Sequence, residues 1–208
     1  MLSICITCQN RSKIQTKNYI LEPLPQCLKA INKLSGDIEV VISDWNSTDT
    51  PIEEVTQQYL TKIPYKIVKM ENDKFEIYEG LNKSFEESQG GNILFMDADL
   101  IVQDKYIKKN IKNLKNGNVI FPIVFAFIGM GLKKGIWCTK DYRTLMIQRD
   151  MYEKVKPWKN TDSKGTQMHR FCKINFGSNK IIREKDRGFL HHWHPNTKKN
   201  IWTRRKRS

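Results

Sequence analysis

Short apolar runs of strand length alternate with helical stretches through the first half of the chain, and this alternation constrains the fold most strongly. Strands are predicted at residues 2–8, 38–43, 65–68 and 92–96. Helices are predicted between them, at residues 20–34, 52–60 and 75–88. The resulting β-α-β-α-β-α-β order predicts an α/β fold with a mostly parallel central sheet flanked by helices.

The second half of the chain is expected to continue the same domain. A helix is predicted at residues 104–114 and a single strand at residues 119–127. The chain has 208 residues, 39% of them hydrophobic, which is enough for one sizeable core. We therefore expect one domain over residues 1–208, without internal repeats.

Polar residues follow three of the predicted strands where each ends, at residues 7–11, 44–49 and 97–99. Ligands bind beyond the carboxyl ends of strands in open parallel sheets, so these segments are expected to meet in one crevice. The last segment, Asp97-Ala98-Asp99, places two carboxylates after an apolar strand. A divalent cation would neutralise them and hold a diphosphate. Alternatively, Asp97 or Asp99 caps the helix predicted from residue 104.

The composition adds weaker constraints. The net charge is +14, and six basic residues crowd the end of the chain: Lys198, Lys199, Arg204, Arg205, Lys206 and Arg207. This charge suits a nucleotide diphosphate, but also nucleic acid, an anionic membrane or a well-solvated surface.

Several features predict a soluble protein. We recognise no signal peptide and no apolar run of the roughly 18–20 residues that span a bilayer. The five cysteines are an odd number, and no second pair completes a zinc site with Cys5 and Cys8. We expect reduced thiols and a cytoplasmic location, with the basic end as a candidate peripheral membrane contact.

Four segments resemble, in order, the motifs of family 2 glycosyltransferases. They are residues 3–11 (SICITCQNR), 39–49 (EVVISDWNSTD), 80–85 (GLNKSF) and 92–100 (NILFMDADL). The resemblance implies a GT-A (Rossmann-like) fold. It also implies a nucleotide-sugar-binding half at residues 1–100, an acceptor-binding half at residues 101–197 and a basic tail at residues 198–208.

The resemblance also implies roles for individual residues. Thr7, Asn10 and Arg11 would border the nucleotide pocket, and Asp44 would bind the base, commonly uracil. The Asp97-Ala98-Asp99 segment would bind the metal or the ribose and diphosphate of the donor. From the residues alone, a strand-end carboxylate can accept the imide N–H of uracil. Asp44 and Asp49 could equally form an Asx turn or a helix cap before Pro51.

Three of the four histidines lie in the segment Gly188-Phe-Leu-His-His-Trp-His-Pro195. The i, i+2 spacing of His192 and His194 predicts that they share one face of a strand. The His-x-His-Pro ending resembles that of chondroitin-polymerase-like enzymes, which implies that His192 or His194 completes a metal site. The choice between them is open, Mn²⁺ is favoured over Mg²⁺, and the alternative is a surface cluster of histidine and aromatic side chains.

The catalytic base and the acceptor site have weaker signals. The acidic pair that relatives carry before an Arg-Leu is absent, with residues 165–167 near its place, and Asp162 is the nearest carboxylate. We therefore assign Asp162 as the base, with a loop or helix cap as the alternative. Trp137, after the glycines at 129–135, offers a face for sugar stacking, although loop packing explains it equally well.

These features together predict a metal-dependent, inverting glycosyltransferase that moves a sugar from a UDP-sugar to a glycan or other acceptor hydroxyl. A nucleotidyltransferase is the alternative enzyme, but residues 8–12 lack the glycines of a phosphate-binding loop. A basic nucleic-acid-binding module would not explain carboxylates at the strand ends. No nucleic-acid partner is therefore expected.

Overall fold

The structure is a computed structural model that describes residues 1–71, 74–129, 133–158 and 165–194. Within these ranges the strands are β1 (Leu2–Cys8), β2 (Ile14–Gln15), β3 (Ile20–Leu21), β4 (Ile38–Asp44), β5 (Tyr65–Lys69), β6 (Asn92–Asp97), β7 (Leu100–Val102), β8 (Val119–Ile120), β9 (Ile123–Phe127), β10 (Gly135–Trp137), β11 (Leu145–Gln148), β12 (Ile181–Ile182) and β13 (Lys185–His191). The helices are α1 (Pro23–Ile31), α2 (Ile52–Tyr59), α3 (Ile77–Glu86), α4 (Asp104–Lys115), α5 (Arg149–Glu153) and α6 (Thr166–Phe176), with a short 3-10 helix at Ser178–Lys180.

A seven-stranded sheet forms the centre of the fold, in the order β12-β8-β11-β6-β1-β4-β5. Strands β6, β1, β4 and β5 are parallel neighbours, and β11 runs antiparallel to β6. The predicted α/β fold with a mostly parallel central sheet is confirmed. Thr7 on β1 lies opposite Ser43 on one side and Asp97 on the other. The polar ends of three strands therefore meet at one edge of the sheet, as predicted.

A smaller sheet, in the order β10-β9-β13-β7, lies beyond the carboxyl end of β6. Strand β7 follows β6 after a two-residue turn and pairs antiparallel with β13. The prediction of one strand at residues 119–127 is wrong, because the chain breaks at Phe121-Pro122 into β8 of the large sheet and β9 of the small one. Proline lacks the amide hydrogen that a ladder needs, so it ends the first strand.

Both faces of the large sheet are buried, which explains the continuous apolar strands. Helices α1, α2 and α4 pack on one face, and α3, α5 and α6 pack on the other. Along β1 the side chains alternate between the two faces. Ile4 and Ile6 pack in the core beneath α1, α2 and α4, and Cys5 packs in the core beneath α3, α5 and α6. Each fully buried aliphatic side chain contributes about 1.5–3 kcal/mol to folding. No helix in the described part of the chain combines the length and apolar composition that a bilayer crossing requires.

Helix α1 begins three residues later than the periodicity predicts. Ile20 and Leu21 instead form β3, which pairs with β2 in a small hairpin. Pro23 and Pro25 occupy the first turn of the helix, where amide hydrogens have no acceptor within the helix. The prolines therefore fix the start of the helix.

Gly80 lies where α3 packs most closely on the sheet, and replacing it by alanine is expected to destabilise the protein. The new Cβ would lie 2.1 Å from Thr7 Oγ1 and 2.7 Å from Trp45 Nε1. Alanine favours helices by about 1 kcal/mol over glycine, but a clash of this kind costs about 1–3 kcal/mol, so the net change is a loss. Urea unfolding measures it. Gly91→Ala is the matched control, because nothing lies within 4 Å of the added Cβ. A Gly80→Ala variant more stable than the parent would contradict the packing.

Candidate active site

The Asp97-Ala98-Asp99 segment lies at the tip of β6, at the edge of the sheet where the ends of β1, β4 and β6 meet. Asp97 is the last residue of the strand, Ala98 and Asp99 form a turn, and Leu100 begins β7. The side chains of Asp97 and Asp99 are 18% and 11% exposed. Neither caps the next helix, whose N-cap residue is Gln103 without a side-chain hydrogen bond. Asp97 instead pairs with an arginine, and Asp99 lies against two histidines.

Asp99 lies against two histidines. Its Oδ2 is 2.9 Å from Nε2 of His194 and 3.5 Å from Nε2 of His191. The three side chains offer ligand atoms that all lie within 4.8 Å of one another. The other oxygen of Asp99, Oδ1, is buried and has no hydrogen-bond partner in the structure. A buried carboxylate oxygen without a protein partner is unusual, and a bound cation would satisfy it.

The two carboxylates differ in their electrostatics. Burial raises the pKa of Asp97 above its usual value, although Arg143 opposes this shift. Burial also disfavours the ionised form of Asp99, but His191 and His194 outweigh it and hold the pKa of Asp99 well below its usual value. The pKa of His191 is raised, because the attraction of Asp99 outweighs the effect of burial on the imidazolium. The ionised form is therefore favoured more strongly for Asp99 than for Asp97.

Position 191, and not 192, supplies the second histidine. The prediction that His192 and His194 share a strand face is wrong, because β13 ends at His191 and residues 192–194 are not in a strand. Antiparallel pairing of β13 with β7 sets His191 opposite Leu100, next to Asp99, and the irregular segment that follows brings His194 Nε2 to 2.9 Å from Asp99 Oδ2. The ring of His192 contacts the carbonyl oxygen of Trp193. The missing signal was the end of the strand, which pairing of β13 with β7 sets and no local pattern encodes.

The cluster of Asp99, His191 and His194 has the chemistry of a transition-metal site. One carboxylate and two imidazoles suit Mn²⁺ better than Mg²⁺, which prefers oxygen ligands only. The unpartnered Oδ1 of Asp99 supplies a further lone pair for a cation. The residues present therefore fit a divalent metal ion.

Arg143 is the cation beside Asp97, and no sequence motif predicted this role. Its Nη1 lies 3.2 Å from Oδ2 of Asp97. Its Nε and Nη2 donate to the carboxylate of Asp141, at 3.1 Å and 2.6 Å. Asp97 is therefore neutralised by an arginine that is itself held in place by a second carboxylate.

The residues expected around the nucleotide lie at the ends of β1 and β4. The indole of Trp45 donates to Thr7 Oγ1 at 2.9 Å, and both side chains are buried where β1 and β4 end. Asp44 is buried; it accepts from the backbone N–H of Ser47 and pairs with Lys69 at 2.8 Å. This bond spans three residues and so ties the loop after β4 to Asp44 without forming the Asx turn that the sequence left open, and contact of Asp44 with a base remains a prediction.

Asn10 and Arg11 border the same edge. Asn10 has φ of 51°, and its side-chain oxygen accepts from the backbone N–H of Thr48 at 2.7 Å. It thereby ties the loop after β1 to the loop after β4. The Arg11 guanidinium donates to the carbonyl of Asn10 at 3.3 Å.

Trp137, the residue assigned to the acceptor, is not among the described residues that contact Asp99, His191 or His194. Trp137 lies on β10, at the edge of the small sheet opposite β7, and its ring packs 5.0 Å from Phe125. Its contact with an acceptor stays a prediction. Asp162 lies outside the described residues, as do residues 130–132 of the glycine-rich loop.

Tyr142, next to Arg143, stacks on His169 of α6 with ring centroids 4.3 Å apart. Burial, with smaller contributions from Lys173 and Arg183, lowers the pKa of His169 to about 4. Below pH 6.5, the ordinary pKa of histidine, His169 is protonated in the unfolded chain but stays neutral in the folded chain. The free energy of unfolding therefore decreases as the pH falls from 6.5 toward 4.

Between pH 7.5 and 5, we expect the free energy of unfolding of the parent to fall by about 1 kcal/mol more than that of His169→Phe. The difference is kept this small because the ring is partly exposed and screened by water. Phenylalanine keeps the stacking and removes the titration. Urea unfolding of both proteins at each pH measures the difference. Parallel stability curves would contradict a buried neutral imidazole.

The sequence of this chain is similar to those of known glycosyltransferases. Residues 3–182 match the model of the family described as "Glycosyl transferase family 2". The chain belongs to this family. The glycosyltransferase AglE of Haloferax volcanii is 22% identical over 169 residues, which cover 71% of this chain and 55% of AglE.

Solved structures of glycosyltransferases share the fold of this family 2 chain. TarS of S. aureus in complex with UDP-GlcNAc has a TM-score of 0.70 at 14% identity, covering 94% of this chain and 59% of that one. The mannosyltransferase PcManGT of Pyrobaculum calidifontis, in complex with GDP-Man and Mn²⁺, has a TM-score of 0.67 at 12% identity, covering 95% and 57%. The expected GT-A fold is confirmed. This chain spans 55–60% of the length of these relatives.

Proposed function

We propose that this chain transfers a sugar from a nucleoside-diphosphate sugar to an acceptor hydroxyl, with a divalent cation bound by Asp99, His191 and His194. The observation that carries the proposal is this three-residue cluster, placed at the carboxyl edge of a parallel sheet in a family 2 chain. Asp99 is ionised and has a buried oxygen without a partner, which is what a cation requires.

Mn²⁺ is the cation we favour. Two imidazole nitrogens in the cluster argue against Mg²⁺, which prefers oxygen ligands. The mannosyltransferase from Pyrobaculum calidifontis was solved with Mn²⁺. When bound, the cation supplies positive charge that stabilises the departing diphosphate.

The donor is a nucleotide sugar that the crevice at the ends of β1, β4 and β6 would bind. UDP-sugars are favoured, because Asp44 at the end of β4 can still accept the imide N–H of uracil through its remaining lone pairs. The structural neighbours contain UDP-GlcNAc in one case and GDP-Man in another, so GDP-sugars form the second arm of any test. In this proposal residues 1–100 bind the donor and residues 101–197 bind a glycan or other hydroxyl acceptor.

We propose an inverting displacement. The acceptor hydroxyl gives its proton to the Asp162 carboxylate, its oxygen bonds to the anomeric carbon from the face opposite the diphosphate, and the bond from that carbon to the diphosphate oxygen breaks. Analysis of the product's anomeric configuration tests the stereochemistry. Asp162→Asn should slow transfer by about 10²- to 10⁴-fold without weakening donor binding.

Thermal unfolding with UDP, GDP and dTDP, each with and without Mn²⁺, tests the proposal directly. A nucleotide at 100 times its Kd should stabilise the folded chain by about 2.7 kcal/mol, or raise Tm by about 5–10 °C, only when Mn²⁺ is present. Asp99→Asn is the matched control and should show no such rise. If none of the nucleotides shifts Tm in the presence of Mn²⁺, the proposal fails.

A further inference from the structure

We infer that Arg143 binds the diphosphate of the donor and that Asp141 orients its guanidinium for this contact. The inference rests on the proposed function and adds to it a phosphate-binding residue other than the metal ligands.

Asp141 fixes the arginine from one side. The Arg143 backbone N–H donates to Oδ1 of Asp141 at 3.0 Å, and Nε and Nη2 of the guanidinium form a two-point contact with the carboxylate. Such a paired contact sets the plane of the guanidinium as well as its position. Arg143 is therefore preorganised, and binding a ligand would cost it little side-chain entropy.

The guanidinium has donors left over. Of its five N–H groups, Asp141 uses those on Nε and one on Nη2, and Asp97 faces one on Nη1. One N–H on each terminal nitrogen has no acceptor among the residues that the structure describes. The side chain is 29% exposed, and we place the donor diphosphate against these two N–H groups. Two N–H groups on neighbouring nitrogens match the oxygens of a phosphate.

The charges of the crevice favour an anion here once a cation is bound. Asp97, Asp99 and Asp141 carry three formal negative charges, and Arg143 with a divalent cation carries three positive ones. A diphosphate then enters a neutral site that holds two separate cationic centres. Arg143 contacts Asp97, two residues from the metal ligand Asp99, so both centres can face one diphosphate.

The test compares Arg143→Gln, Arg143→Lys and the parent in Mn²⁺. The ligands are the nucleoside diphosphate that binds the parent better, UDP or GDP, and the corresponding nucleoside without phosphate. Arg143→Gln should weaken diphosphate binding by about 10- to 100-fold and nucleoside binding by less than about threefold. Arg143→Lys keeps the positive charge but loses the two-point contact of a guanidinium, so its diphosphate affinity should lie between those of the parent and Arg143→Gln. Mn²⁺ alone should bind Arg143→Gln as well as or better than the parent, because a nearby positive charge is removed.

Arg183→Gln is the matched control. Arg183 lies over Tyr142 at 3.9 Å, and its donors within the described residues reach the backbone carbonyls of Thr139 and Asp141, so its loss should lower Tm and leave diphosphate affinity within about threefold. If Arg143→Gln unfolds during titration, Arg143→Lys carries the comparison. Unchanged diphosphate affinity, or an equal loss for nucleoside and diphosphate, would overturn the inference alone. A parent chain that binds no nucleotide would overturn the proposed function as well.

Discussion

Replacing Asp99 by asparagine is expected to abolish Mn²⁺ binding and to slow donor turnover by about 10²- to 10⁴-fold. Asp99 contributes the only carboxylate of the metal cluster found among the described residues, and one of its oxygens has no other partner. Asparagine is uncharged, and its NH₂ group would face the imidazoles or the cation. Titration with Mn²⁺ and hydrolysis of UDP- or GDP-sugars, which needs no identified acceptor, measure the two effects.

Asp97→Asn is the control that separates the two carboxylates of the Asp97-Ala98-Asp99 segment. Asp97 pairs with Arg143 and lies outside the metal cluster, so its variant should keep Mn²⁺ affinity within about tenfold of the parent, the size of an indirect effect. Circular dichroism of both metal-free variants checks that they are folded. Equal loss of Mn²⁺ by the two variants would mean that Asp97 is also a ligand, and full retention by Asp99→Asn would remove the basis of the metal site.

The sequence predicted the central sheet well because its strands are buried on both faces. The runs that became β1, β4 and β6 are continuously apolar, and their predicted ends differ from the observed ones by at most one residue. Each is followed by a polar segment, so the position of the crevice was also predictable. Helix α1 and the strand pair β8 and β9 were less predictable because prolines, and not periodicity, set their limits.

Two of the three residues of the cluster, Asp99 and His194, were among the candidates that the sequence offered. Asp99 was found because it directly follows an apolar run. Arg143 was missed because its role depends on a contact with Asp97, 46 positions away in the sequence, and no local pattern encodes that contact. His191 was missed because strand alternation was carried past the end of β13, although tertiary pairing with β7 decides where that strand ends.

Among the three neighbouring histidines, His191→Gln and His194→Gln are each expected to weaken Mn²⁺ binding by at least about 100-fold, because each removes one ligand of three. His192→Gln should stay within about threefold of the parent, since its ring contacts a backbone carbonyl and lies outside the cluster. The three variants carry the same substitution within four residues, so each serves as a control for the others. The measurement is Mn²⁺ titration of the folded, nucleotide-free proteins.

The pattern of loss decides which geometry holds. Suppose that Mn²⁺ binding is lost in the variants at 191 and 194 and kept in the variant at 192. The strand must then end at His191, and the residues that follow must bring His194 to Asp99, as their 2.9 Å contact indicates. Loss at 192 and 194 with retention at 191 would instead require alternation to continue through the segment, with His192 and His194 on one face. A ligand set cannot satisfy both patterns, so this experiment tests the end of β13 and the metal site together.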